Sequence, residues 1–288
     1  MPQPPEHIGL IGLGLMGSAL ADRFLDGGFR VSGWDIAPAR CRALTKIGGE
    51  AARDAREVFA ASDRIVFSLP SYDESAALLC ASGLRRGTMV LDTSTGDPRM
   101  AAAIGKKMSA RGVMYLDATI SGNSEQVRRH EVLVMAGGTR TAFARCADLF
   151  ECFAEDAIHT GSWGSGAMMK LVTNLVLGLN RAVLAEGLSF AERIGVSPQR
   201  ALVALKSGPA YSRVMDPKGG KMLRRDFAPQ ARLAQHLRDV RLILQLGRRS
   251  RAKLPLSSLH QRLLAGLAAA GFGEEDNSAI LRAFSDER

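Results

Sequence analysis

The chain has 288 residues, enough for two domains, and its 46% hydrophobic and 23% charged residues are typical of a globular protein. Its four cysteines show neither a CxxC pair nor a Cys/His metal spacing, which disfavours a disulfide scaffold or a zinc module and suggests free thiols in a reducing cytoplasm. The net charge is +9, and residues 201–288 carry 16 Lys and Arg against 8 Asp and Glu, a bias that fits solvated helix faces, attraction of anionic ligands or nucleic-acid binding.

Short apolar runs alternate with amphipathic ones through about residue 160. The strand-like runs are His7–Ile11, Phe29–Trp34, Arg64–Leu69, Thr88–Leu91 and Val113–Leu116, and the first helical runs are Met16–Leu25 and Pro38–Ile47. Strands that alternate with helices predict a mainly parallel, doubly wound sheet covered on both faces. The runs Glu131–Met135 and Ala157–Thr160 are expected to add edge strands.

After Gly166 the strand-like patterns end and helical ones take over. Residues from about 165 to 194 predict one long helix, apolar nearly all round and therefore buried. Its charged residues Lys170, Arg181 and Glu186 argue against a membrane span, and Met1 to Pro5 lack the features of a secretion signal. Further helical runs are Pro198–Lys206, Gln230–Gly247, Leu256–Gly271 and Asn277–Phe284.

A glycine motif follows the first strand and opens the first helix. It comprises Gly12, Leu13, Gly14, Leu15, Met16 and Gly17. In this position a GxGxxG motif permits a tight turn, lets a pyrophosphate approach the backbone and directs a helix N-terminus at the phosphates. The motif therefore predicts a dinucleotide-binding, or Rossmann, domain over 1–162. The change of pattern near Gly161–Gly166 predicts that an all-α domain over 163–288, beginning with the long helix, follows it and serves substrate binding and oligomerisation.

Asp35 ends the second strand, where a carboxylate can accept the ribose hydroxyls of NAD and repel a 2′-phosphate. It could instead be a turn or N-cap aspartate before Pro38, and Arg40 could meet a phosphate, so NADP stays open beside NAD. Leu69, Pro70 and Thr95 follow later strands at the edge where such sheets bind their ligand.

Lys170 and Asn174 are polar residues in an otherwise apolar helical stretch. Residues four apart project from the same helix face, so the ammonium and the amide lie one turn apart. A charge among apolar residues is costly unless it is used. The alternative is a structural lysine that is ion-paired or extends to solvent.

Several motifs together resemble the β-hydroxyacid dehydrogenase family, which includes 3-hydroxyisobutyrate dehydrogenase and tartronate semialdehyde reductase. They span nearly the whole chain in the family's order. They are the motif Gly12–Gly17, the run Asp117–Gly122, Gly164 and Gly166 before Lys170 with Asn174, the pair Arg238 and Asp239, and the run Gly271–Asp276.

The resemblance implies a role for each matching residue. Lys170 is the general acid/base, and burial is expected to lower its pKa from the usual value of about 10.4. Ser121 and Gly122 are expected to hold the substrate carboxylate, Asn123 beside them to contact the substrate, and Asn174 to orient it. Leu69, Pro70 and Thr95 line the cofactor, and Arg238 replaces the family's usual cofactor-contacting lysine.

Departures from the family's pattern affect mainly the substrate pocket. The usual Pro-Val-Ser-Gly-Gly run is here Thr119 to Asn123, and a basic stretch from Glu125 to His130 follows it. Thr173 replaces the first of the usual two asparagines. Arginine at 238 preserves the charge of lysine but alters its geometry. The reaction class is unaffected, whereas the identity of the substrate is left open.

The sequence therefore predicts a cytoplasmic NAD(P)-dependent oxidoreductase that interconverts a small 3-hydroxy acid and its semialdehyde. An imine reductase on the same fold is the first alternative, which Lys170 disfavours. A non-catalytic relative that binds nucleotide or nucleic acid is the second, and the scarcity of stacking aromatic residues in the basic segment argues against nucleic acid. No metal and no membrane partner are expected, and the apolar long helix predicts a homodimer or homotetramer.

Overall fold

The structure is a computed structural model that describes residues 6–81 and 83–285. The expectation that Met1–Pro5 carry no secretion signal lies outside these residues, as do the outermost ends of the two expected domains. The chain divides into two compact units, the first ending at Lys170 and the second beginning at Leu171. The division falls within the long helix Ser165–Arg193.

The first unit is built on one eight-stranded sheet. Its strands are β1 (His7–Ile11), β2 (Arg30–Trp34), β3 (Glu50–Ala51), β4 (Arg64–Phe67), β5 (Met89–Asp92), β6 (Met114–Ser121), β7 (Val132–Gly138) and β8 (Ala154–Gly161). The order is β3-β2-β1-β4-β5-β6-β7-β8, with β1 to β6 parallel, β7 antiparallel to β6, and β8 parallel to β7. The strand order reverses between β1 and β4, and open α/β sheets bind their ligands at the carboxyl ends of strands flanking such a reversal.

Helices cover both faces of this sheet. They are α1 (Leu15–Asp26), α2 (Pro38–Lys46), α3 (Ala55–Ala61), α4 (Tyr72–Ala81), α5 (Pro98–Ala110), α6 (Ser124–Arg128), α7 (Arg140–Ala144) and α8 (Ala147–Phe153). One apolar core contains Phe24 of α1 and Phe153 of α8, and a second contains Val58 of α3 and Ile104 of α5. Just after β8, Trp163 fastens the chain to the sheet by donating its Nε1 to the carbonyl of Tyr115 at 3.0 Å.

The second unit is helical. It contains most of α9 (Ser165–Arg193) together with α10 (Pro198–Ser207), α11 (Met215–Arg224), α12 (Leu233–Arg249) and α13 (Pro255–Ala269). Leu184 and Leu188 of α9 pack with Leu237 of α12 and Leu264 of α13 in one apolar core. The predicted fold class, an α/β Rossmann domain with a mainly parallel sheet followed by an all-α domain, is confirmed.

One expectation about an individual element was wrong, and two further features were not foreseen. The strand at Val132–Gly138 lies between β6 and β8 and is therefore not an edge strand, because β8 pairs with its free side. The segment Asn277–Phe284 forms a 3-10 helix, stabilised at its start by Asp276, whose carboxylate accepts from the backbone N–H of Ser278. The sequence patterns also missed α11, which contains the weak helix formers Pro217, Gly219 and Gly220.

The expectation that α9 is buried all round was also wrong. Val172, Val176, Val183, Phe190 and other apolar side chains of this helix are exposed. By length and composition α9 is in addition apolar enough to cross a membrane, which its charged residues had been expected to exclude. A single helix of this kind is weak support for a membrane segment, because core helices of other proteins meet the same criteria.

Candidate functional site

The glycine motif forms the loop between β1 and α1. Gly12 adopts φ +91°, and a Cβ there would lie 2.3 Å from the carbonyl oxygen of Ser68. Around Gly14, in contrast, a Cβ would meet only the guanidinium of Arg40, at 4.0 Å. The protein's own packing therefore leaves this space open, as a cofactor pyrophosphate requires. No side chain of the described residues caps the N-terminus of α1 at Gly14, so its first backbone N–H groups can bind phosphate.

Asp35 is buried beside this loop, with its side chain only 5% exposed. Its Oδ2 accepts from the backbone N–H of Leu13 at 2.8 Å, and its Oδ1 accepts from that of Ala37 at 2.8 Å. Arg40 completes the arrangement, with Nη1 3.2 Å from Oδ2. The carboxylate thus fixes the glycine loop itself, in addition to lying where a ribose-binding residue is expected.

Leu69, Pro70 and Thr95 lie in the loops after β4 and β5, neighbouring strands of the sheet. The two loops are joined because the backbone N–H of Leu69 donates to Ser94 Oγ at 3.2 Å. Ser94 also bonds with Ser75 Oγ at 3.1 Å, and its backbone N–H donates to Asp92 Oδ1 at 3.0 Å. Burial raises the pKa of Asp92, and the hydrogen bonds from Ser94, Ser75 and Tyr115 oppose that rise.

Ser121 is the last residue of β6, and Gly122 and Asn123 follow it. Asn123 is the N-cap of the short helix α6. Its side chain accepts from the backbone N–H of Gln126 at 3.0 Å, while Gln126 Oε1 accepts from the N–H of Asn123 at 3.1 Å. Asn123 therefore holds the turn after Ser121 in place by a capping box, a structural function that its expected role in binding substrate did not include.

Lys170 lies at the same end of β6. The half-buried side chain donates from Nζ to the carbonyl oxygen of Ile120 at 2.6 Å. This contact brings the ammonium next to Ser121 and Gly122 along the chain. The first unit thus brings the lysine next to a serine and a glycine that lie 49 and 48 residues earlier in the sequence.

The remaining two expected site residues lie in the second unit. Asn174, one helical turn after Lys170 on α9, donates from Nδ2 to Asp239 Oδ2 of α12 at 3.1 Å. Arg238 is exposed on α12 and lines a shallow depression with Arg241, Gln245 and Arg248. Asp239 was noted in the sequence only as part of a motif, and its contact with the amide of Asn174 was not foreseen.

Asp117 is the main residue that sequence reasoning left without a role. It is fully buried on β6, and its carboxylate accepts from the backbone N–H groups of Gly164 and Ala167 at the start of α9. Burial raises its pKa to about 7, although these two N–H bonds oppose the rise. One sequence feature could have indicated a role for Asp117. In an otherwise apolar strand, Asp117, Thr119 and Ser121 occupy alternate positions, which places three polar groups on one face.

No group of three or more His, Cys, Asp and Glu residues in the described part of the chain is arranged to hold a metal ion. The candidate site therefore consists of backbone donors, hydroxyl and carboxylate groups, and one ammonium.

Two family models together match nearly the whole chain. Residues 7–161 match the NAD binding domain of 6-phosphogluconate dehydrogenase. Residues 164–284 match the model described as the NAD-binding region of NADP-dependent 3-hydroxyisobutyrate dehydrogenase. The first unit is therefore an NAD(P)-binding domain.

Characterised relatives align along the full length. The chain is 30% identical over 283 residues to a 2-(hydroxymethyl)glutarate dehydrogenase of Eubacterium barkeri, covering 96% of this chain and 93% of that protein. It is 30% identical over 281 residues to a 2-hydroxy-3-oxopropionate reductase of Escherichia coli, covering 96% of both. The crystal structure of a 3-hydroxyisobutyrate dehydrogenase from Salmonella typhimurium superposes with a TM-score of 0.87 at 26% identity, covering 96% of this chain and 99% of that one.

These matches agree with the glycine loop, the sheet order and the placement of Lys170 beside the end of β6. They extend over both units and confirm the family that the motifs indicated. The chain belongs to the β-hydroxyacid dehydrogenase family of NAD(P)-dependent oxidoreductases.

Proposed function

We propose that the protein interconverts a small 3-hydroxy acid and its semialdehyde, with Lys170 as the general acid/base. The observation that carries the proposal is the 2.6 Å hydrogen bond from Lys170 Nζ to the carbonyl of Ile120, which holds an ammonium beside Ser121 and Gly122. The aligned dehydrogenase and reductase relatives are named for substrates of this kind, in which a hydroxymethyl or aldehyde group accompanies a carboxylate.

The residues of the chain supply the proton part of the reaction. A nicotinamide dinucleotide, when bound, exchanges hydride with the carbon that bears the hydroxyl group. Oxidation of that alcohol releases the hydroxyl proton, and neutral Lys170 can accept it. In the reductive direction the Lys170 ammonium returns the proton to the carbonyl oxygen. Asn174, one turn further along α9, is proposed to orient the reacting oxygen.

The substrate carboxylate is proposed to bind after β6. Ser121 supplies a hydroxyl donor and Gly122 a backbone N–H, while Asn123 contributes by holding this turn and through the donor end of its amide. Donors of these types suit a carboxylate. The net charge of +9 adds a long-range attraction for anionic substrates and cofactors.

The cofactor is proposed to bind over Gly12–Gly17 and to be lined by Leu69, Pro70 and Thr95, and Arg238 is proposed to contact it. NAD is favoured because Asp35 presents a buried carboxylate beside the loop. NADP can also be used, since the guanidinium of Arg40 lies at the same place.

Two further features are proposed. The sequence boundary between the domains lies near 162/163, just ahead of α9. The protein is proposed to act in the cytoplasm. It is also proposed to form a homodimer or homotetramer, which the exposed apolar side chains of α9 support.

A substrate panel tests the reaction class. Candidate substrates are 3-hydroxyisobutyrate, 2-(hydroxymethyl)glutarate and 2-hydroxy-3-oxopropionate, each assayed with NAD or NADP in the appropriate redox state by nicotinamide absorbance. A cyclic imine in the same panel tests the imine reductase alternative. Turnover of the imine alone would replace the proposed reaction with that alternative.

Replacing Lys170 by alanine tests the assigned acid/base. We expect kcat to fall by about 10²–10⁴-fold, the usual contribution of general acid–base catalysis, while cofactor affinity measured by calorimetry changes little. Lys46→Ala, which removes an exposed lysine from the end of α2, is the matched control and should retain full activity. Equal turnover of Lys170→Ala and the wild type would refute the role of this lysine.

A further inference from the structure

Strand β6 and the first turn of α9 are joined by a row of polar contacts. Asp117, Thr119 and Ser121 alternate along β6 and therefore share one face of the strand. Asp117 contacts the N–H groups of Gly164 and Ala167, Thr119 Oγ1 donates to the carbonyl of Gly166 at 3.0 Å, and the carbonyl of Ile120 accepts from Lys170. Three residues of the strand thus contact the segment 164–170 at the start of α9.

Asp117 makes the most constrained of these contacts. Its Oδ1 accepts from Gly164 N at 2.7 Å and its Oδ2 from Ala167 N at 3.0 Å, so the two oxygens bracket the beginning of α9. The side chain is fully buried. A carboxylate at a helix N-terminus is stabilised both by these N–H groups and by the helix dipole.

The packing between the strand and the helix leaves little freedom. A Cβ at Gly166 would lie 2.3 Å from the carbonyl oxygen of Asp117 and 2.5 Å from that of Met135. The backbone of α9 therefore lies directly against β6, and the Asp117 carboxylate sets its position along the strand. Lys170 is less than one turn beyond Ala167, about 4.5 Å along the helix axis, so a shift of this turn moves the ammonium with it.

We propose that Asp117 is a positioning residue that fixes the first turn of α9 against β6 and thereby holds the Lys170 ammonium beside Ser121. This inference rests on the proposed function, in which Lys170 exchanges a proton with the substrate bound at Ser121. Asp117 touches neither substrate nor the reacting atoms, and it acts through the helix alone.

The ionisation of Asp117 bears on this role. Burial raises its pKa to about 7, and the nearby carboxylate of Asp92 on β5 contributes to the rise. Tyr115 of β6 and Tyr72 of α4 are the other titratable groups coupled to it, and burial raises the pKa of each well above the usual value. The anionic carboxylate can accept both N–H groups of α9, whereas protonation turns one oxygen into a donor. Asp117 therefore accepts both N–H bonds of α9 above about pH 7, and its hold on the helix is weaker below that pH.

Asp117→Asn is the direct test, because asparagine keeps the volume but leaves one acceptor for two N–H groups. We expect kcat to fall at least about tenfold, since a displacement on the order of 1 Å at a catalytic group costs up to about a hundredfold. Cofactor affinity by calorimetry should change less than about twofold, because the carboxylate contacts α9 and not the glycine loop. An ionisation near pH 7 in the kcat profile should disappear.

A second readout does not depend on turnover. Labelling of Lys170 by acetic anhydride, followed by peptide mass spectrometry, reports whether its amine is still held against Ile120. We expect labelling to accelerate in Asp117→Asn. Thr119→Val removes the neighbouring hydrogen bond from the hydroxyl group to Gly166 and should accelerate labelling to a smaller extent. This variant is measured in its place if Asp117→Asn does not fold.

Asp92→Asn is a matched control. Asp92 is paired in register with Asp117 on the adjacent strand and is equally buried, but it bonds with Ser94 and Tyr115. Loss of these buried contacts should lower the thermal midpoint of this variant, yet it should leave Lys170 labelling unchanged. Its effect should fall on cofactor affinity, because Ser94 holds Leu69.

The outcomes separate the two proposals. Wild-type labelling and wild-type kcat in Asp117→Asn would overturn the positioning role, whatever the substrate. Equal acceleration of labelling in Asp92→Asn would also overturn it, because general loosening would then explain the effect. Full turnover of Lys170→Ala would instead overturn the proposed function, and the labelling experiment would still decide whether Asp117 holds the helix.

Discussion

The ion pair between Asp35 and Arg40 lies beside the glycine loop. The carboxylate is buried by its contacts with Leu13 and Ala37, whereas the Arg40 side chain is 53% exposed and can rotate. An acidic residue here selects for the ribose hydroxyls of NAD, and an arginine can accommodate the 2′-phosphate of NADP. The two residues therefore favour different cofactors from almost the same position.

Arg40→Ala is expected to alter cofactor preference. Loss of a charge-assisted contact with phosphate should lower kcat/KM for NADP by about 10- to 100-fold, while kcat/KM for NAD changes less than about threefold. Steady-state kinetics with both cofactors measures the ratio. Arg42→Ala, on the exposed face of the same helix, should leave the ratio unchanged. An equal loss with both cofactors in Arg40→Ala would contradict the assignment and indicate a disturbed Asp35.

At the residue scale, sequence reasoning can name a candidate where a residue type and a local motif carry the chemistry. The glycine loop, Asp35 and Lys170 could be named because each has a chemical signature in its neighbouring residues. The role of Asp117 could not, since its partners Gly164 and Ala167 come 47 and 50 residues later. Only the pairing of a strand with a distant helix reveals that contact.

At the scale of elements, three helices of the second unit meet around Gly178 of α9. A Cβ there would lie 2.4 Å from Nε2 of His236 on α12, and the rings of His236 and His260 of α13 are 5.2 Å apart. Arg181, one turn along α9, is buried and adds a positive charge. Burial, reinforced by Arg181, lowers the pKa of His260 to about 4 and that of His236 well below its usual value.

These histidines predict a loss of stability in mild acid. The folded-state pKa of His260 lies below the usual 6.5, so the unfolded chain binds more protons between these values. Its contribution to the free energy of unfolding is present above pH 6.5 and decreases by at most about 3 kcal/mol as the pH falls to about 4. Urea unfolding of the wild type and His260→Gln at pH 7 and 5 should show a smaller pH effect in the variant.

The comparison between variants is needed because other groups titrate in the same range. The contribution of Asp117 to the pH dependence of stability has the opposite sign. Because its pKa is raised in the folded state, the folded chain binds a proton there as the pH falls below about 7, before the unfolded chain does. His159→Gln, which makes the same change at a histidine of the first unit, is the matched control. An unchanged pH effect in His260→Gln would show that its imidazole is not shielded as described.

The long helix illustrates what periodicity can and cannot predict for an element. Its existence and ends were predicted to within a residue or two, because apolar residues and good helix formers continue from Ser165 to Arg193. Its burial was predicted wrongly, because an all-round apolar helix can be covered either by its own chain or by another molecule. The 3-10 geometry of Asn277–Phe284 was missed for a different reason, since its apolar spacing also fits an α-helix.

At the scale of the whole molecule, α9 carries an exposed apolar stripe. Val176, Val183 and Phe190 are seven residues apart and share one face of the helix, and Val172 and Ile194 extend it. Val183 is 65% and Phe190 63% exposed. Contiguous apolar surface of this kind is typical of protein–protein contacts, and symmetric association of identical chains is the commonest form.

Sedimentation at micromolar concentration is therefore expected to show a dimer or larger species. The double variant Val183→Glu and Phe190→Glu should shift it toward the monomer without loss of helical circular dichroism, because charges at the stripe oppose burial there. Val203→Glu, which alters an equally exposed valine on α10, should not change the distribution. A wild-type monomer would refute the proposed oligomer.

The overall architecture could largely be predicted because alternating strands and helices, a glycine motif and a change to purely helical patterns are each local signals. The reversal of β7 was beyond such reasoning. Its direction depends on the connection through the five-residue helix α6, which returns the chain beside β6 in the opposite sense. No periodicity within the strand itself distinguishes a parallel from an antiparallel neighbour.

The indole of Trp163, bonded to the carbonyl of Tyr115, has one companion in the chain, Trp34 at the end of β2. Both belong to the first unit, and the sequence from Leu171 onward contains no tryptophan. Intrinsic tryptophan fluorescence consequently reports on the Rossmann unit alone. Compared with the far-ultraviolet dichroism of the entire chain, that emission offers an optical means of asking whether the two units melt together or in succession.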